Sequence, residues 1–367
     1  MNILVLPNAF KGSLSAPQAA RILHKELSPR HRVFSAPVSD GGDGFIDFFK
    51  YLYPSSRLVH FHARNAFYKN QKTSYLLLPG GKTAVIETAR ICGLGTAKKE
   101  ELNPLNATSY GVGQAIMHAV KKGVKNIYIG LGGVACNDGG SGAATACGTR
   151  FSDKQSRPLA LGAQPLLQLA HIDNTGLVKN LKGVRLFAVA DVTNPLLGPK
   201  SSAKVFGPQK GANPSQVKLL DRAMAVYARR IKKELGKDIA HTPSTAAAGA
   251  ICAGLYGLFN AKILLGADFL LHKAHFNKQA QRADLIITAE GKLDSQTFGG
   301  KAPLAVIKLA KKYKKPVLFI CGQLGKDALK HRSFLPDQIA VLSDFARSPQ
   351  DCRLHAAKYL KRLCKTL

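Results

Sequence analysis

The chain has 367 residues, 46% of them hydrophobic, and it carries 53 lysines and arginines against 22 aspartates and glutamates, a formal net charge of +31. That hydrophobic content allows a sizeable globular core, while no apolar run approaches the roughly 20 residues of a membrane helix. The first residues lack the basic region and long apolar stretch of a signal peptide. Seven dispersed cysteines without a Cys-x-x-Cys pair argue against a zinc module or a disulfide framework. We therefore expect a cytoplasmic protein without a membrane partner.

The large positive charge has two interpretations. A polyanion such as nucleic acid would bind through the release of counterions from its phosphates. Here the basic residues are spread over several helical stretches, and no run alternates aromatic with basic side chains as a base-stacking surface would. We therefore interpret the charge as a solvated basic surface that attracts small anions, and do not expect a nucleic-acid partner.

Apolar runs bounded by turn residues predict a series of strands. Most are continuously apolar, which is typical of parallel strands covered on both faces. Helical patterns alternate with them: one begins at Ser15 with capping-box spacing, one runs from Thr108 to Gly123, and one begins at Asn213. This alternation indicates βαβ units and a largely parallel sheet. The predicted strands are Ile3–Leu6, Val33–Ala36, Ile127–Gly130, Leu186–Ala190, Leu285–Thr288, Val317–Cys321 and Ile339–Leu342.

A different pattern follows the first two βα units. Three short strands are predicted at Leu58–His62, Thr73–Leu78 and Thr83–Glu87, and Pro79–Lys82 between the last two has the composition of a hairpin turn. This mixed pattern predicts a second α/β domain inserted into a Rossmann- or flavodoxin-like parallel-sheet domain. We place the first domain at residues 1–60 and 283–367 and the inserted mixed-sheet domain at residues 61–282.

Short clusters rich in Gly, Asp and Asn recur along the chain, several of them directly after an apolar run. In open α/β sheets, ligands bind outside the carboxyl ends of the strands. Glycines there let backbone N–H groups approach an anion, while carboxylates and lysines supply charge. The clusters therefore predict an enzyme that handles an anionic substrate. They span Asn8–Ser13, Ser39–Gly44, Gly130–Gly140, Asp191–Pro195, Phe206–Gly211 and Glu290–Thr297.

The cluster at Gly130 leaves an alternative open. Gly130-Leu-Gly-Gly-Val-Ala135 fits the dinucleotide-binding fingerprint, so a nucleotide-dependent dehydrogenase is a second candidate function. The acidic residue expected after the next strand is missing, since Asp153, near that spacing, stands in a polar loop. Asn137 and Asp138 follow at once and indicate a turn that binds an anion or a hydroxyl, or else a tight turn built from residues that tolerate left-handed backbone.

Carboxylates stand at the ends of two predicted strands. Asp191 follows the apolar strand Leu186–Ala190, and Glu290 and Asp294 follow Leu285–Thr288 with Lys292 between them. Carboxylates that converge on one cleft can bind Mg²⁺ through oxygen and can accept a hydroxyl proton. The plainer alternative is helix capping and surface charge. Asp40 before two glycines, Gly41 and Gly42, and Lys11 after the first strand occupy similar positions, whereas the histidines show no metal-binding spacing.

Taken in order, these clusters resemble the bacterial glycerate kinase family with the type I fold. Its opening motif Asp-Ser-Phe-Lys-Gly-Ser stands here as Asn8-Ala-Phe-Lys-Gly-Ser13, and its Ala-Asp-Gly-Gly-Glu-Gly as Ser39-Asp-Gly-Gly-Asp-Gly44. No single motif is specific, but the collinear set covers nearly the whole chain. The further matching segments are Thr108–Gly113, Gly130–Gly140, Asp191–Leu196, Val205–Ala212 and Glu290–Gln296.

The resemblance implies a kinase that uses ATP and Mg²⁺ to phosphorylate D-glycerate, usually to 2-phosphoglycerate, with 3-phosphoglycerate left open. It also implies two α/β domains with the active site in the cleft between them; the oligomeric state is left open, a homodimer included. On this basis we expect catalytic roles for Asp191, Glu290, Asp294 and Lys11, with Asp191 and Asp294 as metal ligands. The expected substrate- and nucleotide-binding residues are Ser13, Asp40, Gly41, Gly42, Gly132, Gly133, Asn137, Asp138, Asn194, Lys210, Lys292 and Gln296.

The chain departs from the family pattern at several of these motifs. Val134 and Cys136 stand where the family usually has Ser and Thr, and Asn8 replaces an aspartate. Ala289 replaces a frequent glycine, and a glycine-rich run is thinned to Thr245–Ala250. If the turn after Gly132 presents its side chains to the ligand, restoring hydroxyls at 134 and 136 should tighten binding. If Val134 instead packs in the core, serine there would bury an unpaired hydroxyl.

Overall fold

A computed structural model describes residues 1–95, 97–190, 192–295, 297–299, 302–328 and 334–367. Two of the predicted site residues, Asp191 and Gln296, lie outside this described part. The chain divides into two compact units. Unit 1 comprises residues 1–40, 47–52 and 266–367, and unit 2 comprises residues 41–46 and 53–265. The domain boundaries derived from the sequence stay a prediction.

Unit 1 is built on a parallel sheet. Its strands are β1 (Asn2–Pro7), β2 (Arg32–Ser35), β11 (Leu285–Leu293), β12 (Val317–Leu324) and β13 (Gln338–Val341), in the order β13-β12-β11-β1-β2. The helices are α1 (Ala16–Leu27), α10 (Gly266–Lys273), α11 (Phe276–Arg282), α12 (Ala302–Lys312), α13 (Pro349–Leu354) and α14 (Ala356–Cys364). Helix α2 (Phe45–Leu52) begins in unit 2 and ends in unit 1.

Strand register explains how unit 1 brings distant motifs together. In the sheet, Pro7 at the end of β1 lies beside Ala289 of β11, so the loop after β1 begins beside the last residues of β11. The apolar residues Val5 and Ile287 are fully buried, as continuous apolar runs predict for strands covered on both faces. Ser15 caps α1 in a capping box with Gln18, which confirms the predicted helix start.

Unit 2 contains a mixed sheet. Its strands are β3 (Arg57–Arg64), β4 (Asn70–Leu77), β5 (Thr83–Glu87), β6 (Asn126–Leu131), β9 (Arg185–Ala190) and β10 (Lys262–Leu265), in the order β10-β9-β6-β5-β4-β3. Strands β10, β9, β6 and β5 run parallel, and β4 pairs antiparallel with both β5 and β3. Strands β7 (Arg150–Ser152) and β8 (His171–Asp173) form a separate small ribbon. The helices are α3 (Ala89–Cys92), α4 (Tyr110–Lys121), α5 (Ser141–Cys147), α6 (Thr175–Asn180), α7 (Ser202–Phe206), α8 (Pro214–Leu235) and α9 (Ile251–Gly257).

The fold class is confirmed: the protein is α/β, with a parallel sheet and a mixed sheet. Several predicted strand bounds are wrong: β4 begins at Asn70 rather than Thr73, β12 continues past Cys321 to Leu324, and the end of β11 differs most. Strand β11 does not end at Thr288 but continues to Leu293, because Glu290 and Lys292 pair with Cys321 and Gln323 of β12. None of the helices in the described part of the chain has the length and apolarity that crossing a bilayer requires. All seven cysteines are buried, and none of them forms a disulfide bond.

Candidate active site

In unit 1, the loop after β1 lies against the end of β11. The Asn8 N–H donates to the Ala289 carbonyl (2.8 Å), which continues the strand pairing by one residue. Gly291 of β11 lies so close to this loop that a Cβ on Gly291 would stand 3.1 Å from the backbone nitrogen of Lys11. Lys11 itself is exposed. The predicted lysine and the predicted carboxylate strand are therefore neighbours at one edge of the sheet.

Two carboxylates and a lysine project from the end of β11. Glu290 is buried, with 5% of its surface exposed, and accepts a hydrogen bond from the fully buried Thr297 hydroxyl. Lys292 Nζ lies 3.3 Å from Asp294 Oδ2. The structure thus places the backbone of Lys11 beside the part of the chain that carries Glu290, Lys292 and Asp294, and the predicted roles of these residues stay predictions.

A further carboxylate, Asp327, stands beside this group and was missed from the sequence. Its side chain accepts from the Ser295 N–H at 3.3 Å. The Ser295 hydrogen bond holds the pKa of Asp327 below its usual range, so the group is ionised near neutral pH. Asp327 follows β12, and a carboxylate after an apolar strand is the signal that could have found it.

Ser13 makes a different contact from the one predicted. Its hydroxyl donates to the Arg353 carbonyl (2.5 Å), and Arg353 Nε donates to the Gly12 carbonyl (3.2 Å). The loop after β1 is therefore fastened to α13, near the end of the chain. No sequence pattern connects Arg353 to this loop, so the contact could only be found from the structure.

The Asp40–Gly42 segment is where the chain passes from unit 1 to unit 2. Asp40 is half-buried. Gly41 is buried with φ +104°, and a Cβ on it would stand 2.6 Å from the Val189 carbonyl oxygen of β9. The Gly42 carbonyl accepts a hydrogen bond from the Phe45 N–H (3.2 Å) at the start of α2. Gly41 is thus required by the close approach of two backbones inside unit 2.

The turn after β6 begins with Gly132 and Gly133. Gly132 is buried, and its N–H donates to the Thr88 hydroxyl (3.4 Å). Gly133 is exposed, and its Cα lies close to the Asp43 carboxylate. Of the two glycines, Gly133 is the one whose surroundings are open to solvent. Asp43 beside Gly133 adds a carboxylate to this turn.

Asp138 is completely buried and fully engaged with the protein. Its Oδ2 accepts from the Ser109 N–H (2.7 Å), the Ser109 hydroxyl (2.9 Å) and the Thr108 hydroxyl (3.2 Å), while the Gly140 and Gly142 N–H groups donate to its two oxygens at 3.2 Å. Burial raises the pKa of Asp138, and the hydrogen bonds from Ser109 oppose that shift. Asp138 therefore joins the starts of α4 and α5.

Asn137 and Lys210 lie on either side of the same turn. Asn137 is fully buried and accepts from the Ser202 hydroxyl (3.1 Å). Lys210, with 2% of its surface exposed, donates from Nζ to the Cys136 carbonyl (2.7 Å). Gly249 packs against both partners of that bond. The structure brings these motifs together, but as a buried framework rather than an open row of ligand donors.

Asn194 and Glu87 complete the residues near the strand ends of unit 2. Asn194 Nδ2 donates to the Lys200 carbonyl (3.0 Å). Glu87, which ends β5 beside Gly130 of β6, is buried and accepts from the Ile46 N–H (2.9 Å). Sequence reasoning did not select Glu87 as a site residue. The signal was present, since Glu87 ends an apolar strand and Asp191, which was selected, directly follows one.

Val134 and Cys136 lie in the hydrophobic core of unit 2 rather than at a ligand. Their exposed fractions are 2% and 0%, and both belong to one large apolar cluster. Ala289 is also fully buried, in the core of unit 1. The expectation that hydroxyls at 134 and 136 would reach a ligand is therefore wrong for this structure, because these side chains point into the core.

Val134→Ser should lower stability and leave the kinetics unchanged. An unpaired buried hydroxyl costs about 1–3 kcal/mol on the scale of protein mutational data. Val134→Ala is the matched control, since it also removes the γ-carbons but adds no hydroxyl. Denaturant unfolding of the two variants measures the difference. Tighter substrate binding by Val134→Ser at unchanged stability would contradict the core placement.

The carboxylates of unit 1 suit a hard cation. Within the described residues, no group of three or more His, Cys, Asp or Glu side chains could hold a metal ion by itself. Mg²⁺ is commonly held by only one or two carboxylates together with substrate phosphates. Asp294, 18% of whose side chain is exposed next to Lys292, offers a carboxylate of that kind. The donor set therefore fits Mg²⁺ in a complex with a phosphate-bearing substrate.

The comparisons with known proteins decide the family. The sequence profile of the Glycerate kinase family matches residues 3–367. The chain belongs to the glycerate kinase family. It is 38% identical over 327 residues to the glycerate kinase of Halalkalibacterium halodurans, covering 88% of this chain and 86% of the relative. It is 36% identical over 332 residues to glycerate 2-kinase of Escherichia coli, covering 89% and 86%.

A solved structure extends the likeness to the fold. The crystal structure of a Salmonella typhimurium protein provisionally named glycerate kinase 2 superposes with a TM-score of 0.79 at 34% identity. It covers 100% of this glycerate kinase family chain and 98% of the Salmonella chain. Membership of a kinase family favours the kinase over the dehydrogenase interpretation. Asp153, the nearest candidate for a nucleotide-binding acid, instead accepts from the N–H groups of Gln155 and Arg157 within its own loop.

Proposed function

We propose that this protein transfers the γ-phosphoryl group of ATP to the 2-hydroxyl of D-glycerate. The observation that carries the proposal is the family match over residues 3–367, joined to the group of carboxylates and lysines at the end of β11. Phosphoryl transfer needs positioning and charge stabilisation more than covalent chemistry from the protein. Both substrates are anions, which suits a strongly basic chain.

Asp294 and Asp191 would hold Mg²⁺. When bound, the cation neutralises phosphate charge that builds up during transfer. Asp294 is supported by its partly exposed carboxylate beside Lys292. Asp191 is supported by its place in the sequence directly after β9. Both metal-binding roles are proposals.

The chain's own residues would act on the substrates as follows. Asp191 accepts the proton of the attacking hydroxyl, and Glu290, fixed by Thr297, orients the substrate hydroxyls. Lys11 and Lys292 neutralise the glycerate carboxylate and the phosphates. From the Ser39–Gly44 and Gly130–Gly140 clusters, the half-buried Asp40 and the exposed Gly133 would contact the substrates.

The buried residues Asn137, Asp138 and Lys210 would act indirectly. Their hydrogen bonds hold the Gly132–Gly140 turn in one shape, so that its backbone groups are already oriented before a ligand binds. Preorganised donors stabilise developing charge more effectively than mobile ones. We therefore assign these three residues a positioning role.

Lys11→Gln should raise the KM for one of the two anionic substrates by about 10- to 100-fold, because a hydrogen bond to a charged group contributes about 1.5–3 kcal/mol. Lys25→Gln, which removes an exposed lysine from α1, is the control for the loss of one positive charge. Steady-state kinetics with each substrate varied in turn gives the KM values. Equal KM values for the two variants would remove Lys11 from the site.

The function is tested by following ADP formation with purified protein, Mg-ATP and D-glycerate. We expect ADP only when glycerate is present, and a preference for the D over the L enantiomer. A dehydrogenase would instead change the absorbance of a nicotinamide cofactor, and a nucleic-acid-binding protein would retard DNA at low salt. ADP formation that does not depend on glycerate would contradict the proposal.

A further inference from the structure

A cavity of about 630 Å³ opens in unit 2. It lies between the loop Asp153–Arg157, the segment Leu167–Leu169 and one face of α8. Its volume is within the roughly 300–1,000 Å³ that is usual for small-molecule sites. None of its lining residues belongs to the family motifs, so no part of the proposed reaction accounts for it.

Helix α8 supplies a row of cations to this cavity. Val226, Arg229, Arg230 and Lys233 line it, and their spacing of three, four and seven residues places them on one helical face. Tyr227 and Ile231, on the other side, are buried in the core. The long side chains are therefore carried by a helix that is itself anchored.

The charge in the cavity is strongly unbalanced. Five cations line it against one carboxylate, Asp153, and that carboxylate is already bound to Arg157 Nε at 2.8 Å. Arg230 is held by the Leu169 carbonyl (3.2 Å) and lies 3.9 Å from Glu234. Across the described part of the chain, Lys154, Arg229 and Lys233 form no ion pair.

These features point to the chemistry of a ligand. The guanidinium group of arginine can donate two parallel hydrogen bonds to the oxygens of a phosphate, and the ammonium group of lysine adds a further positive charge beside it. A concave wall concentrates the positive potential and so raises the local concentration of anions. The lining contains no aromatic side chain on which a nucleic-acid base could stack. We propose that this cavity binds a small molecule that carries several phosphate charges, separately from the glycerate kinase site.

The test compares two double variants of α8 by calorimetric titration with inorganic tripolyphosphate at 0.15 M salt. The cavity variant is Arg229→Gln/Lys233→Gln. The control is Lys218→Gln/Arg222→Gln, which removes the same two residue types eleven positions earlier on the same face, outside the cavity. All four residues are exposed, so both variants should fold, and their thermal melting curves check this.

We expect the control to bind as the unaltered protein does and the cavity variant to bind at least about tenfold more weakly, since two charge-assisted contacts are lost. Equal weakening in both variants would show unspecific charge attraction and overturn the proposal. So would an absence of binding to the unaltered protein. Binding that is lost in Lys11→Gln and kept in the cavity variant would place the anion at the motif site and would also overturn it, without bearing on whether the protein phosphorylates glycerate.

Discussion

Glu290→Gln is expected to lower kcat about a hundredfold while the protein stays folded, because the substrate hydroxyls would lose the charged group that orients them and misplaced reacting groups cost about that factor. Glutamine keeps the shape of the side chain and still accepts the hydrogen bond from Thr297, so the loop after β11 is retained. What is lost is a negative charge at the carboxyl end of the strand. Steady-state kinetics at saturating glycerate and Mg-ATP measures the change.

The same strand provides the control for this experiment. Asp284 stands just before β11, at its amino end, where it accepts from the Asn2 N–H at 2.7 Å. Asp284→Asn removes an equal charge from the end of the strand at which ligands are not expected. We expect its kcat to be within about threefold of the unaltered protein. A similar loss in both variants, or no loss in Glu290→Gln, would contradict a catalytic role for Glu290.

Gly249→Ala is expected to destabilise the protein by about 2–5 kcal/mol, from left-handed backbone strain and overpacking together. Gly249 has φ +60°, and a Cβ there would overlap the Cys136 carbonyl oxygen and stand 2.6 Å from Lys210 Nζ. The added methyl group would therefore break the buried bond between Lys210 and Cys136. Because that bond holds the turn after β6, activity should fall as well.

Gly236→Ala separates the two causes of this loss. Gly236 follows α8 with φ +69°, but a Cβ there would meet nothing within 4 Å. Gly236→Ala should therefore lower the free energy of unfolding only by the strain of left-handed backbone, about 1–2 kcal/mol, and should leave activity unchanged. Guanidinium unfolding gives both values. Equal losses for the two glycine variants would mean that the packing around Lys210 contributes little.

The strands of the two sheets were predictable because buried parallel strands are continuously apolar. The runs at Ile3, Ile127 and Leu285 each produced a strand in the structure. The end of β11 was not predictable, since Glu290 and Lys292 are polar and their pairing with β12 depends on a neighbouring strand rather than on local sequence. Strand β10 was missed for a related reason: it has four residues and only partial burial.

The candidate site was predictable in position more than in contact. The strand order places the backbone of Lys11 beside Gly291, between Glu290 and Asp294, which is where the rule of carboxyl strand ends put these residues; their roles stay predictions. It could not distinguish glycines that face a ligand from those that face another backbone, as Gly41 faces Val189. Nor could it show that Asp138 is buried, because its partners at Ser109 and Gly142 come from two different helix starts.

The proposed reaction is tested most directly by the proton-coupled phosphorus NMR spectrum of the protein's products with D-glycerate and Mg-ATP. We predict a new phosphomonoester signal that grows as the γ-phosphate signal of ATP declines and is split into a doublet by the single hydrogen on C2. A triplet from the two hydrogens on C3 would place the phosphate on the 3-hydroxyl. No new phosphomonoester signal in the presence of active, folded protein would contradict the assignment of this chain as a kinase that phosphorylates glycerate.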